Sequence, residues 1–125
     1  NGQSVRPVRH IGRQFVFPVP SSVRTARLVS RAARPSDAIG PFVDDRRTLG
    51  VLVSAMTLWD ANSTHQLDFM APSLAGWNPA EGAMRWTTGD AQIALGERDP
   101  GAIGMLVIDI TATAPDHEGP ASIAA

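Results

Sequence analysis

Two long segments constrain the fold more than any other feature of the chain. "TLGVLVSAMTLW" at 48–59 is rich in β-branched and large apolar residues, which fall on both faces of an alternating pattern, with Val51, Val53 and Trp59 on the same face. "IGMLVIDITATA" at 103–114 is a second such segment, with Leu106, Ile108 and Ile110 on one face. Strands that are apolar on both faces are typical of the covered centre of a sheet. The sequence therefore predicts two long buried strands.

Shorter strands are predicted around these two, separated by turn residues. They cover residues 13–20, with Phe15 and Phe17 on one face, and residues 25–33, 65–70 and 84–95, the last broken near Gly89. Short strands with turns at about ten-residue spacing are typical of an all-β, antiparallel β-sandwich of the jelly-roll type. A helix over 24–37 is a weaker alternative, because Pro35 would end it.

The chain of 125 residues predicts a single domain over 1–125, with a tail over 115–125. It does not begin with Met and has no signal-peptide pattern, which favours a fragment of a longer protein.

The absence of Cys excludes disulfides and thiolate metal sites. A net charge of −1 argues against nucleic acid or an anionic membrane as a partner. No feature indicates a compartment.

A charged run precedes the first long segment: Asp44, Asp45, Arg46 and Arg47. These residues could converge on a polar ligand, because Arg offers forked donors. Alternation along an extended chain lets at most two of the four share a face, which favours a structural clasp. The clasp hypothesis predicts that Arg46 or Arg47 pairs with Glu81 or Asp90.

A second candidate site lies in "AGWNPAEGAMRWT" at 75–87. Indole rings beside a carboxylate and a guanidinium suit sugar rings, which stack on aromatics and form hydrogen bonds through their hydroxyls. The structural alternative has Trp86 filling the core and Glu81 pairing with Arg85. With the charged run included, the predicted ligand-binding residues are Trp77, Glu81, Arg85, Trp86, Asp44, Arg46 and Arg47.

Catalytic and metal-site patterns are weak. The histidines have no ligand spacing, and no catalytic or nucleotide-binding motif is present. A metal site in the tail, from Asp116, His117 and Glu118, is less favoured than a solvated tail. No cofactor is expected. A small hydrolase would have to use Asp44, Glu81 or Asp90, and only their positions beside turns suggest it.

The spaced pattern over 25–95 resembles a β-rich accessory domain of bacterial proteins. The resemblance is carried by "RLVSR" from Arg27, "DDRRTLGV" from Asp44, "GWNPAE" from Gly76 and "RWTTGDA" from Arg85. Such domains occur beside Hint (hedgehog/intein-like) domains and in glycosyltransferase-associated proteins. The resemblance implies a sandwich module in a glycan setting. It does not imply autoprocessing, because the chain lacks the splicing Cys.

These observations favour a non-catalytic accessory module that binds carbohydrate through the 76–87 loop. The expected partners are a glycan, a neighbouring domain or a second copy of the chain. A structural or protein-interaction domain of a larger Hint-type or glycan-processing protein is the main alternative, because both long strands are strongly apolar. A small hydrolase is the third hypothesis.

Overall fold

The computed structural model describes residues 4–7, 9–32, 47–60, 63–96, 103–113 and 121–124. Within these ranges the chain forms ten strands and no helix. The strands are β1 (Ser4–Val5), β2 (Arg9–Ile11), β3 (Gln14–Val19), β4 (Thr25–Val29), β5 (Val51–Asp60), β6 (Ser63–Gln66), β7 (Arg85–Trp86), β8 (Asp90–Ala94), β9 (Gly104–Thr113) and β10 (Ser122–Ala124). The predicted all-β class is confirmed.

The strands form two antiparallel sheets. The four-stranded sheet has the order β1-β10-β4-β8, and the six-stranded sheet has the order β2-β3-β9-β5-β6, with β7 beside β5. One hydrophobic cluster contains Phe17, Val53 and Leu106 from the six-stranded sheet and Leu28 and Ile93 from the four-stranded sheet. Each sheet therefore has an inner face that contributes to this shared core and an outer face directed away from it.

Strand β3 follows its predicted pattern. Phe15 and Phe17 are buried on the inner face, as the alternation predicts. Pro18 lies inside the strand opposite Met105 of β9. Strand β2 pairs with β3 only as far as Val16, so within the described ranges no strand is paired beside Pro18 on that side. The missing N–H of proline is tolerated at such a position.

Strand β5 differs from the predicted alternation because it contains a bulge. The register with β9 shifts twice: Thr111 of β9 is skipped between the pairs of Leu52 and Val53, and Ser54 of β5 is skipped between the pairs of Val53 and Ala55. An extra residue in one strand moves every later side chain to the opposite face. The inner face therefore changes from Val51 and Val53 to Met56 and Leu58. The prediction that Trp59 shares a face with Val51 is wrong, and Trp59 is 56% exposed.

The end of the predicted tail over 115–125 forms a strand. Residues Ser122–Ala124 form β10, which lies between β1 and β4 in the four-stranded sheet. Ile123 is 3% exposed and belongs to the core. Three residues are too few for periodicity to reveal a strand, and the pairing partners are distant in sequence. The metal-site alternative on 116–118 lies outside the described residues. The alternative of a helix over 24–37 is wrong, because Thr25–Val29 form the strand β4.

Candidate functional site

Arg85 is buried and held by backbone carbonyls. Arg85 belongs to β7 and lies opposite Val53 of β5. Its Nε donates to the carbonyl oxygen of Asn78 at 2.7 Å. Its Nη1 donates to the carbonyl oxygens of Phe69 and Ala71, each at 3.0 Å. A buried guanidinium needs such partners, and here they join two parts of the 69–78 loop.

Trp77 packs beside Arg85 at the edge of the core. Its indole Nε1 donates to the carbonyl oxygen of Gln92 at 2.8 Å. The ring centroid lies 5.9 Å from that of Phe69, and the Arg85 Cζ lies 5.6 Å from the Trp77 ring. The structure thus brings the predicted ligand residues Trp77 and Arg85 together. Their polar groups serve the loop, and their predicted role in binding a ligand stays a prediction.

Arg47 and Glu81 form an ion pair. The Arg47 Nη1 and the Glu81 carboxylate are 2.5 Å apart, and the two side chains are 37% and 48% exposed. This contact confirms that an arginine of the charged run pairs with Glu81. Asp44, Asp45 and Arg46 lie outside the described residues. An ion pair this exposed contributes at most about 1 kcal/mol, so it is a weak clasp.

The structural alternative for the 75–87 stretch is wrong in both parts. Glu81 pairs with Arg47 instead of Arg85. Trp77, rather than Trp86, packs against the core. The register explains the second difference, because Trp86 lies opposite Leu52, a residue outside the core cluster. Residues opposite each other on paired strands share a face, so Trp86 belongs to the outer face of the six-stranded sheet.

Asp90 also pairs with an arginine. Its carboxylate lies 2.5 Å from the Arg27 Nη1, across the β4–β8 pair on the four-stranded sheet, and both side chains are about half exposed. The two described acids of the hydrolase hypothesis, Glu81 and Asp90, therefore each have a guanidinium partner. Neither acid lines the groove that opens between β6 and β7.

Trp59 lies in the outer face of the six-stranded sheet, among cross-strand neighbours. It is opposite Thr64 of β6 and Met105 of β9. Two residues earlier on the same strand, Thr57 lies opposite Gln66. The indole is therefore exposed on a regular sheet and bordered by hydroxyl and amide side chains.

A groove of about 320 Å³ opens next to this face. Strand β6 pairs with residues 57–60 of β5, the Leu67 N–H donates to the Met56 carbonyl oxygen, and β7 pairs with residues 52–53. Among the described residues, no strand pairs with residues 54–55 on this edge of β5. Residues 66–70 and the turn at 82–83 border the gap. The polar lining comes from Ser54, Thr57, Gln66 and Asp68.

The groove is partly preorganised. Asp68 Oδ1 accepts a hydrogen bond from the Met70 backbone N–H at 2.8 Å, which fixes the carboxylate in a local turn. Ser54 is the bulge residue of β5, and its hydroxyl lies 3.4 Å from the Asp109 carbonyl oxygen. Bulges are frequent beside functional sites because they redirect side chains. Here the bulge residue lines the groove.

Sequence reasoning missed this outer face. Regular alternation placed Trp59 with Val51, and no motif pointed to Thr57, Gln66 or Asp68. The local signal was the small pair Ser54–Ala55 in an otherwise large apolar strand. Small residues there are compatible with a bulge but do not specify one.

Compared with protein-family models, with curated proteins and with solved structures, the chain gives no significant match. Over the described ranges, no group of three or more His, Cys, Asp or Glu side chains could hold a metal ion. The same part of the chain contains no helix long and apolar enough to span a membrane.

Proposed function

We propose that this protein is a non-catalytic β-sandwich accessory module that binds carbohydrate on the outer face of its six-stranded sheet. The observation that carries the proposal is Trp59. A tryptophan that is 56% exposed on a regular sheet has apolar ring surface available to a ligand.

The neighbours of Trp59 favour a sugar over other flat ligands. Thr57, Thr64 and Gln66 offer hydroxyl and amide groups that both donate and accept hydrogen bonds. Sugar hydroxyls also do both, and the C–H face of a sugar ring can stack on the indole. Phosphates and nucleic acids need a positive field, which the net charge of −1 does not supply.

A jelly-roll sandwich is the architecture proposed for the two sheets. Support comes from nested pairing once β2 and β7, short additions beside β3 and β5, are set aside. Of the remaining strands the first pairs with the last, β1 with β10, and the rest follow inward: β3 with β9, β4 with β8 and β5 with β6. Successive pairs alternate between the sheets, as in a jelly roll of eight strands. Lectin domains use this fold, but the fold alone does not give function.

The arrangement of acids favours binding over catalysis. Hydrolysis of a glycosidic bond ordinarily uses two carboxyl groups that face each other across a cleft, roughly 5–10 Å apart. Asp68 is the one acid among the described residues that line the groove. The proposal of an accessory role also rests on the resemblance to domains that accompany glycan-related proteins.

The test is binding of neutral oligosaccharides, measured by isothermal titration calorimetry on the parent and on Trp59→Ala. Loss of stacking should weaken binding about tenfold, since an aromatic contact contributes about 1 kcal/mol beyond the area that it buries. Thr25→Ala, on the exposed side of the four-stranded sheet, is the matched control and should bind like the parent. Equal affinity of the parent and Trp59→Ala would reject the proposed face.

A protein-interaction domain is the second candidate function. The observation that favours it is the apolar strip next to Trp59, formed by Met105 at 39% and Ile103 at 66% exposure. If this strip joins two copies of the chain, light scattering will show a dimer that Met105→Asp dissociates. A monomer at all concentrations, together with sugar binding, would favour the first candidate.

A further inference from the structure

We infer that the groove between β6 and β7 holds one sugar unit of an uncharged oligosaccharide whose neighbouring unit stacks on Trp59. The inference rests on the proposed function and adds the ligand's length and charge. Its basis is the continuity of the groove with the outer face, together with the kinds of side chain that line it.

The groove and the Trp59 surface are adjacent. Thr57 and Gln66 line the groove, and they lie one cross-strand row away from Trp59 and Thr64. Residues two apart on a strand are separated by roughly 6.6 Å. A ligand that covers Trp59 and extends along β5 toward Ser54 therefore enters the groove.

The size of the groove suits a single ring. Its volume of about 320 Å³ is at the lower end of ordinary ligand sites, about 300–1,000 Å³. Ala55, Leu67 and Met70 supply apolar lining, whereas Ser54, Thr57, Gln66 and Asp68 supply polar groups. A ring with an apolar C–H surface and a polar hydroxyl rim matches this division.

The charge of the lining selects an uncharged ligand. Of the described residues, those that line the groove include no Arg, Lys or His, and Asp68 carries their one charged side chain. A carboxylate such as Asp68 accepts hydrogen bonds from sugar hydroxyls and repels a carboxylated or sulfated sugar. Neutral sugars should therefore bind better than acidic sugars of the same length.

The experiment compares neutral saccharides of one, two and three units by ¹H–¹⁵N NMR titration of the parent, Ala83→Trp and Trp59→Ala. Ala83 is an exposed groove-lining residue in the 82–83 turn, and tryptophan there would fill the groove. The parent should gain at least tenfold in affinity with added units. Ala83→Trp should lose that gain and keep the Trp59-dependent binding of the single unit.

Asp68→Asn tests the charge selection. Asparagine keeps the oxygen that accepts the Met70 N–H, so the turn is retained. The variant should bind a carboxylated sugar about fivefold more tightly than the parent does, as expected from the loss of one nearby like charge. Unchanged discrimination would overturn the role of Asp68.

The outcomes separate this inference from the proposed function. A length-dependent gain that survives in Ala83→Trp would overturn the groove assignment while leaving Trp59 as the binding residue. If no neutral saccharide shifts the parent's resonances, both the inference and the proposed function are wrong.

Discussion

At the scale of single residues, the three tryptophans differ in what their rings can contact. Trp77 packs against the core, with its Nε1 bonded to Gln92, whereas Trp59 is more than half exposed. Trp86 shares the outer face with Leu52 and is half-buried. An aromatic residue can stack on a ligand only through exposed ring surface, so Trp59 is the strongest candidate.

Arg85 should contribute mainly to stability. Replacing it by Met keeps much of its volume and removes the donors to the carbonyls of Phe69, Ala71 and Asn78. We expect Arg85→Met to lower the free energy of unfolding by about 2–4 kcal/mol in urea denaturation, because buried acceptors lose their partners. Arg27→Met, which breaks a half-exposed ion pair, should cost less than about 1 kcal/mol. Equal losses in the two variants would contradict this account of Arg85.

Gly76 should tolerate no side chain. Its φ is +86°, and a Cβ there would collide with the Asp90 carbonyl oxygen. We expect Gly76→Ala to destabilise the protein by about 3 kcal/mol or more, from left-handed strain plus overpacking. Gly12 also has a positive φ, +57°, but has open space around it. Gly12→Ala should therefore cost only about 1–2 kcal/mol, with both variants measured by thermal denaturation. Similar costs at both positions would show that the close approach at Gly76 is unimportant.

At the scale of elements, the bulge in β5 decides which side chains face the core. After it, Leu58 is 1% exposed and its neighbour Trp59 is 56% exposed. We expect Leu58→Ala to cost about 2–5 kcal/mol of stability in chemical denaturation. Trp59→Ala should cost less than about 1 kcal/mol, as is usual for surface changes.

If Trp59→Ala were more destabilising than Leu58→Ala, the account of the bulge would be wrong. Strand β5 would then alternate regularly, and Trp59 would face the core. The comparison is also the folding control for the binding experiments. A Trp59→Ala variant that is as stable as the parent can lose affinity only through the loss of the ring.

Most strands could be predicted from the sequence because their patterns are local. Alternation located β3, β4 and β9, and Gly89 correctly divided the 84–95 segment into β7 and β8. Strands β1 and β2 were not predicted, and the strand predicted at 65–70 lies at Ser63–Gln66. The bulge in β5 and the strand β10 could not be predicted. Both depend on pairing with residues distant in sequence, which periodicity within one segment does not report.

The candidate site was predictable only in part, for the same reason. The Arg47–Glu81 ion pair followed from opposite charges beside predicted turns. The exposure of Trp59 and the opening between β6 and β7 follow from register and strand length. Neither leaves a motif in the sequence.

At the scale of the whole molecule, the two sheets divide the chain's apolar side chains between two roles. Their inner faces share one hydrophobic cluster, which includes Phe17, Leu28 and Ile108. The outer face of the six-stranded sheet retains the exposed Trp59 and Met105, which the core does not require. Exposed apolar surface of this kind is typical of a binding site.

The most direct test of the proposed binding face is a ¹H–¹⁵N NMR titration of the intact chain with a panel of neutral oligosaccharides. We expect saturable shifts in Thr57, Thr64, Gln66 and the Trp59 indole N–H, with Thr25 on the four-stranded sheet unmoved. Saturable shifts confined to the four-stranded sheet, or none with any sugar in the panel, would contradict the account.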